Sequence, residues 1–160
     1  MAKAGYTIVT GGAVALTAST AKSVLGIKSA TDFGIDLKKV WWGFTGVTAT
    51  EAPVVCELCY CTWASNSPGT NSTSLSGSTG PQQVYGRTIA HGITAGKTWT
   101  TEPTALTVLA EIPLTPNGGT LLYDSPLGDT PDCAPSEGFV LRFTAAASVS
   151  VRATMWFERC

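Results

Sequence analysis

Cys56, Cys59 and Cys61 come closest in this chain to a metal-ligand set. Thiolates hold zinc when four ligands converge tetrahedrally on one ion. On a strand, however, Cys59 and Cys61 face one side and Cys56 the other, so the three cannot share an ion and read as small buried hydrophobes. Asp124, Asp129 and Asp132 supply the carboxylate oxygens that Ca²⁺ takes, within the turn-rich segment Tyr123 to Pro135. Their spacing matches no established calcium loop, and solvated turn residues account for them. The run Gly92-Ile93-Thr94-Ala95-Gly96-Lys97-Thr98 approaches a phosphate-binding loop but is one residue short between its glycines. It also lacks the strand before and the helix after that would aim backbone N–H groups at a phosphate. His91, the sole histidine, is the natural general base, yet no motif gives it a nucleophile or an orienting partner. No catalytic, cofactor-binding or metal residue is assigned, and the chain reads as a non-enzyme.

The composition agrees with that shortage. Of 160 residues only 13% are charged, and 10 Lys+Arg against 11 Asp+Glu leave a net charge of -1. Such a balance offers no electrostatic footprint for nucleic acid and no pull toward an anionic bilayer. No apolar run approaches the roughly 20 residues that span a membrane, and Met1 to Gly5 lacks a signal-peptide pattern. The expectation is a soluble protein made in a cytosol. Five cysteines, an odd number in a chain long enough to build a core, do not imply an obligate disulfide framework.

The elements that would position these residues are strands. Phe139, Leu141 and Phe143 alternate with Val140, Arg142 and Thr144; beyond Ala145 to Ser148, Val149, Val151, Ala153, Met155 and Phe157 alternate with polar neighbours. This pattern predicts a β-hairpin with one apolar face, whose long second strand is paired well inside a sheet. Leu106 to Ile112 favours strand over a helix starting at Pro103, because Thr104, Thr107 and Val108 lean that way. Asn117-Gly118-Gly119 turns the chain into Leu121 and Tyr123. Val54 to Trp63, apolar on both faces apart from Glu57, predicts a strand covered on both sides. Between Ile35, Leu37 and Val40, Trp42, Phe44 the apolar set changes parity at Lys38-Lys39, as a β-bulge requires. Shorter strands are predicted at Tyr6 to Thr10, Val14 to Ala18 and Val24 to Ile27, with Gly11-Gly12 as a turn between the first two. Ala64 to Pro81 reads as a long loop and Arg87 to Lys97 as irregular.

The resulting fold class is all-β. It is a single-domain antiparallel β-sandwich over 1–160, predicted as a jelly roll of about eight or nine strands, with an N-terminal arm at 1–12. Closure of the sandwich is expected to limit exposed sheet edges. Of the five tryptophans, Trp42 falls on an apolar face, whereas Trp156 shares a face with Ser150, Arg152 and Thr154. Exposed Trp on a sheet marks an interface; the interface candidates are Trp156, Arg152 and Trp99, with Tyr6 and Ile8 of the N-terminal segment.

The run Thr101-Glu102-Pro103-Thr104-Ala105-Leu106-Thr107-Val108-Leu109, with Pro116-Asn117-Gly118-Gly119, Ser125-Pro126-Leu127-Gly128, Gly138 to Phe143 and Val149 to Glu158, resembles small virion proteins of tailed bacteriophages. The resemblance covers roughly the C-terminal half and, more loosely, Thr20 to Ile27. It is similar to capsid decoration, or cement, proteins, which implies a homotrimer on the capsid exterior. The implied partners are the major capsid protein and copies of the chain itself, with assembly in the host cytoplasm, and that role carries no catalytic residue. The segment Ala2 to Thr10 is expected to reach a neighbour by strand addition. The alternative is a jelly-roll receptor- or glycan-binding module of a phage tail or fibre.

Overall fold

Strand β4 (Ile35–Thr45) and strand β13 (Val149–Arg159) run antiparallel along almost their whole lengths and form the spine of the molecule. A computed structural model describes residues 4–45, 52–86, 89–117, 119–126 and 128–160. On the far side of β13 lie β1 (Gly5–Val9) and β2 (Val14–Leu16), and beyond β1 lies β7 (Gln82–Tyr85). On the far side of β4 lie β10 (Thr120–Asp124) and the two-residue β11 (Asp132–Cys133). The first sheet therefore runs β10-β4-β13-β1-β7.

The second sheet runs β6-β8-β3-β12-β5-β9. Its strands are β3 (Ala21–Lys28), β5 (Val54–Cys61), β6 (Thr73–Leu75), β8 (Thr94–Lys97), β9 (Leu106–Leu114) and β12 (Gly138–Thr144). Every strand pairing is antiparallel, and the two sheets pack face to face as a β-sandwich. Among the described residues the only helical element is a single 3-10 turn, Gly77–Thr79. The pairings are nested: β1 with β13, β3 with β12, β4 with β10, β5 with β9. Early strands are thus matched with late ones across the length of the chain.

The core lies where apolar parity puts it. Tyr6, Ile8, Leu37, Val40, Met155 and Phe157 of the first sheet meet Leu25, Ile27, Phe139, Leu141 and Phe143 of the second, all out of solvent. Tyr6 and Phe157 stack at 5.5 Å, and Trp42 meets Phe143 edge-on at 5.7 Å. The parity change in β4 is a bulge: Trp156 faces Lys39 and Phe157 faces Leu37, which leaves Lys38 as the extra residue. β5 is covered on both sides as expected. Cys56 and Leu58 face the main core, while Cys59 and Cys61 face a smaller one built with Trp63, Trp99 and Val140.

Several expectations are corrected. β12 and β13 are not a hairpin, because they belong to opposite sheets and the short link 145–148 carries the chain across the sandwich. Gly11-Gly12 is not a reversing turn either. β1 and β2 both run antiparallel to β13, so the chain keeps its direction, and Gly11, at φ +66°, lets it arch outward between them. Thirteen strands are present among the described residues, since β6, β7, β8 and β11 were not anticipated. Two of these lie in Ala64 to Pro81 and Arg87 to Lys97, which are therefore not wholly irregular. The sandwich is not closed: β7, β10, β6 and β9 end their sheets. Nor is the N-terminal segment a free arm, because Gly5–Val9 is hydrogen-bonded to a strand on either side. Residues 1–3 of that segment lie outside the described residues, as do Gly118 of the Asn117 turn and Leu127.

Candidate functional site

The two outer faces of the sandwich are treated differently by the chain. On the second sheet, Trp63 and Trp99 stack over a floor of glycines, and a Cβ at Gly26 would stand 2.8 Å from Trp99 Cη2. Trp99 Nε1 donates to the Asn66 carbonyl at 2.8 Å, and Asn66 Nδ2 donates to the Glu102 carbonyl at 2.8 Å. Glu102 accepts in turn from the backbone N–H and the hydroxyl of Ser23. The long loop after β5 is thereby tied down as a roof.

Among the described residues no such roof covers the middle of the first sheet. Register places Leu122, Trp41, Thr154 and Val9 in one row across it, and Asp124, Lys39, Trp156, Thr7 and Gln82 in the next. Both rows face outward, because the alternate residues Trp42, Val40, Ala153 and Met155 are buried in the core. Arg152 stands exposed two residues before Thr154 on the same face.

The second row borders a cavity of about 320 Å³. Its aromatic wall is Trp156, with Tyr85 tilted beside it at 6.0 Å. Tyr85 reaches that position because Gly5 has no side chain: a Cβ there would lie 2.4 Å from the tyrosine ring. The Tyr85 hydroxyl donates a short hydrogen bond to Glu158 Oε1, and Lys38 Nζ pairs with Glu158 Oε2 at 3.3 Å. Burial, and then the Glu158 carboxylate, push the Tyr85 phenol up to about 12. Lys39 Nζ lies over the Trp156 ring at 5.5 Å and pairs with Asp124 Oδ2 at 2.7 Å. The β4 bulge explains why both Lys38 and Lys39 serve this one cavity. Trp156 Nε1 and Ser125 Oγ lie buried in the wall with no hydrogen-bond partner among the described residues.

The interface candidates divide. Arg152 and Trp156 stand together on the open face. Tyr6 and Ile8 are core residues of β1, and Trp99 is sealed against Trp63, so none of these three is available to a partner. The outward residues of β1 are Thr7 and Val9. Trp41, Leu122, Lys38, Lys39, Tyr85 and Glu158 were missed; the outward parity of Trp156 and the paired lysines at the bulge were the signals for two of the strands involved.

Other chemical candidates are dispersed by the fold. Cys56 and the Cys59, Cys61 pair face opposite sides of β5, as strand parity requires. Burial pushes the thiols of Cys56 and Cys59 up to about 12 and about 11, which keeps them protonated and unreactive at neutral pH. The Nδ1 of His91 accepts from the Ile93 N–H at 3.3 Å, and its ring meets Tyr6 edge-on at 6.4 Å. Burial lowers its pKa, so the imidazole is neutral at pH 7. Gly92 to Thr98 runs into strand β8. Asp124 is engaged by Lys39, Asp132 sits in β11, and no group of three or more His, Cys, Asp and Glu able to hold a metal occurs among the described residues. No protein-family model, curated protein or solved structure matches the chain.

Proposed function

We propose that this protein is a virion structural protein, a capsid decoration or cement protein that binds the head lattice of a tailed bacteriophage as a homotrimer. The observation that carries the reading is one flank of the sandwich. β9 ends the second sheet and β10 ends the first, and the short link 115–119 joins them, so two strand edges unpaired among the described residues lie on one flank. Val108, Leu109 and Leu122 are exposed there, at 42%, 48% and 59%. A solitary protein in a crowded cytosol blunts such edges with charge and proline; one that meets a repeated lattice keeps an edge for its neighbour. Pro113 and the bulge at Leu109 confine free pairing to part of β9. The near-neutral charge lets copies pack closely.

The nested pairing supports a further reading, that the sandwich is a jelly roll. β1, β3, β4, β5, β9, β10, β12 and β13 supply its eight strands, and β2, β6, β7, β8 and β11 are additions to it. Capsid and lectin domains share this architecture, which favours a binding role over catalysis only by analogy. Because β1 is already paired on both sides, the contact belongs on the β9–β10 flank and not on an N-terminal arm.

The test is light scattering on the purified chain together with co-sedimentation with assembled heads of the phage that encodes it. A stable trimer that sediments with heads is expected. Val108→Glu with Leu109→Lys should abolish co-sedimentation while leaving stability within about 0.5 kcal/mol, as for exposed substitutions. A monomer with no affinity for heads would sink the reading.

A further inference from the structure

The cavity beside Trp156 is not used by the assembly reading. We propose that it is a binding site for a neutral saccharide of one or two pyranose rings.

The argument begins with charge. Lys38 and Lys39 are balanced by Asp124 and Glu158, so the lining has no net attraction for a phosphate, a sulfate or an acidic sugar. A neutral ligand rich in hydroxyls uses such an array fully, because each hydroxyl both donates and accepts. Carboxylate oxygens of Asp124 take its protons, and the lysine ammoniums donate to its oxygens. The wall is aromatic on one side, where Trp156 and Tyr85 present ring surface to the apolar C–H face of a pyranose.

Size and incomplete bonding point the same way. About 320 Å³ sits at the lower end of the range of small-molecule sites, which suits a ligand of this class and excludes a bulky cofactor. Trp156 Nε1 and Ser125 Oγ lack partners among the described residues, although buried polar groups nearly always have them. Both atoms are out of solvent contact, so a sugar hydroxyl meets them only if the Ser125 and Trp156 side chains move as the ligand enters. The site takes Asp124 from β10 of the β9–β10 flank but does not include Val108 or Leu109, so substitutions at those two residues distinguish it from head binding.

The experiment is a titration of the full-length ¹⁵N-labelled protein with glucose, galactose, mannose, N-acetylglucosamine, and their disaccharides. Inorganic phosphate and sialic acid are the charged controls. The expected result is a saturable shift of the Trp156 indole N–H, assigned through Trp156→Phe, with at least one neutral sugar and with neither control. Followed by the backbone amide shifts, because Trp156 variants lack the indole reporter, Trp156→Ala and Asp124→Asn should each weaken binding by roughly tenfold or more, the loss of one hot-spot contact. If Trp156→Ala does not fold, Ser125→Ala and Trp156→Phe replace it, each with a several-fold loss expected. Val108→Glu with Leu109→Lys should leave sugar binding intact, which separates this proposal from the assembly reading. No saturable shift with any neutral sugar, or saturable binding of phosphate instead, overturns it.

Discussion

Trp63 and Trp99 stack with ring centroids 6.0 Å apart and planes inclined by 21°, directly above Gly26. A Cβ at Gly26 would lie 2.8 Å from Trp99 and 3.1 Å from Trp63, so the indoles are seated only because the sheet beneath them is bare. Gly26→Ala is expected to destabilise by about 1–3 kcal/mol through overpacking, and Trp99→Ala by about 3–5 kcal/mol through lost burial. Urea midpoints give both values, and loss of the near-ultraviolet signal of the indole pair in Gly26→Ala identifies the cause.

Gly5 poses the same steric question with the opposite answer. Its added Cβ would meet the far end of the Tyr85 side chain, which lies on edge strand β7 and is 41% exposed. Gly5 is itself buried, but Tyr85 can swing away, so Gly5→Ala should cost only about 1 kcal/mol. The cavity wall should be lost with it. Tyr85 fluorescence and the Trp156 indole resonance would register the displacement; an unshifted indole would contradict this account of how the ring is positioned.

Arg142 makes a two-pronged contact with Glu57, Nε to Oε2 at 2.6 Å and Nη2 to Oε1 at 2.9 Å. The contact holds the outward faces of β12 and β5 together, and Glu57 is nearly buried. Glu57→Ala leaves the guanidinium without its carboxylate and is expected to cost about 2 kcal/mol. Because the pair is shielded, most of that difference should survive in about 1 M salt. A difference that disappears in salt would mark the pair as a surface contact.

Alkali should destabilise the protein before it damages it. Burial pushes Cys56, Cys59 and Cys133 from the ordinary 9.0 up to about 12, about 11 and about 11. Below pH 9 folded and unfolded chains both hold these protons, and the contribution to stability is complete. As pH rises toward 11 the unfolded chain releases protons that the folded chain keeps, so stability falls. Urea midpoints at pH 8 and about 10.5 test this, and the fall should shrink in Cys59→Ala. A flat profile would mean that the thiols are not shielded as described.

Deleting residues 1–9 is expected to unfold the protein or cut its stability severely. β1 carries Tyr6 and Ile8 into the core and bridges β13 to β7. Circular dichroism and proteolysis of the shortened chain decide the matter. A cooperative, native-like shortened chain would restore the idea of a detachable arm.

Local pattern carried the architecture a long way. The parity change at Lys38-Lys39 is visible in sequence because a bulge moves every later side chain to the other face, and the opposed cysteines of β5 follow from the same period. What escaped is non-local. A four-residue link between two apolar strands looks the same whether the strands pair or cross to opposite sheets, so β12 and β13 were misjoined. Strands such as β11 and β6, two and three residues long, owe their existence to a waiting partner, not to their own alternation. Trp99 passed for an exposed residue because the loop holding Asn66, more than thirty positions earlier, folds back to seal it. The candidate cavity was invisible for the same reason: Lys38, Tyr85, Asp124 and Trp156 come from four strands that only the finished sheet brings together.

Nested pairing also constrains when the protein can form during synthesis. β1 and β4 leave the ribosome early, yet both wait for β13, which is made more than a hundred residues later. At roughly 5–20 residues per second that delay lasts several seconds or longer, with apolar strands of the first sheet lacking their central neighbour. High contact order slows the final closure further. The fold is therefore expected to depend on chaperone protection during translation, and a stalled or truncated product would join the insoluble fraction.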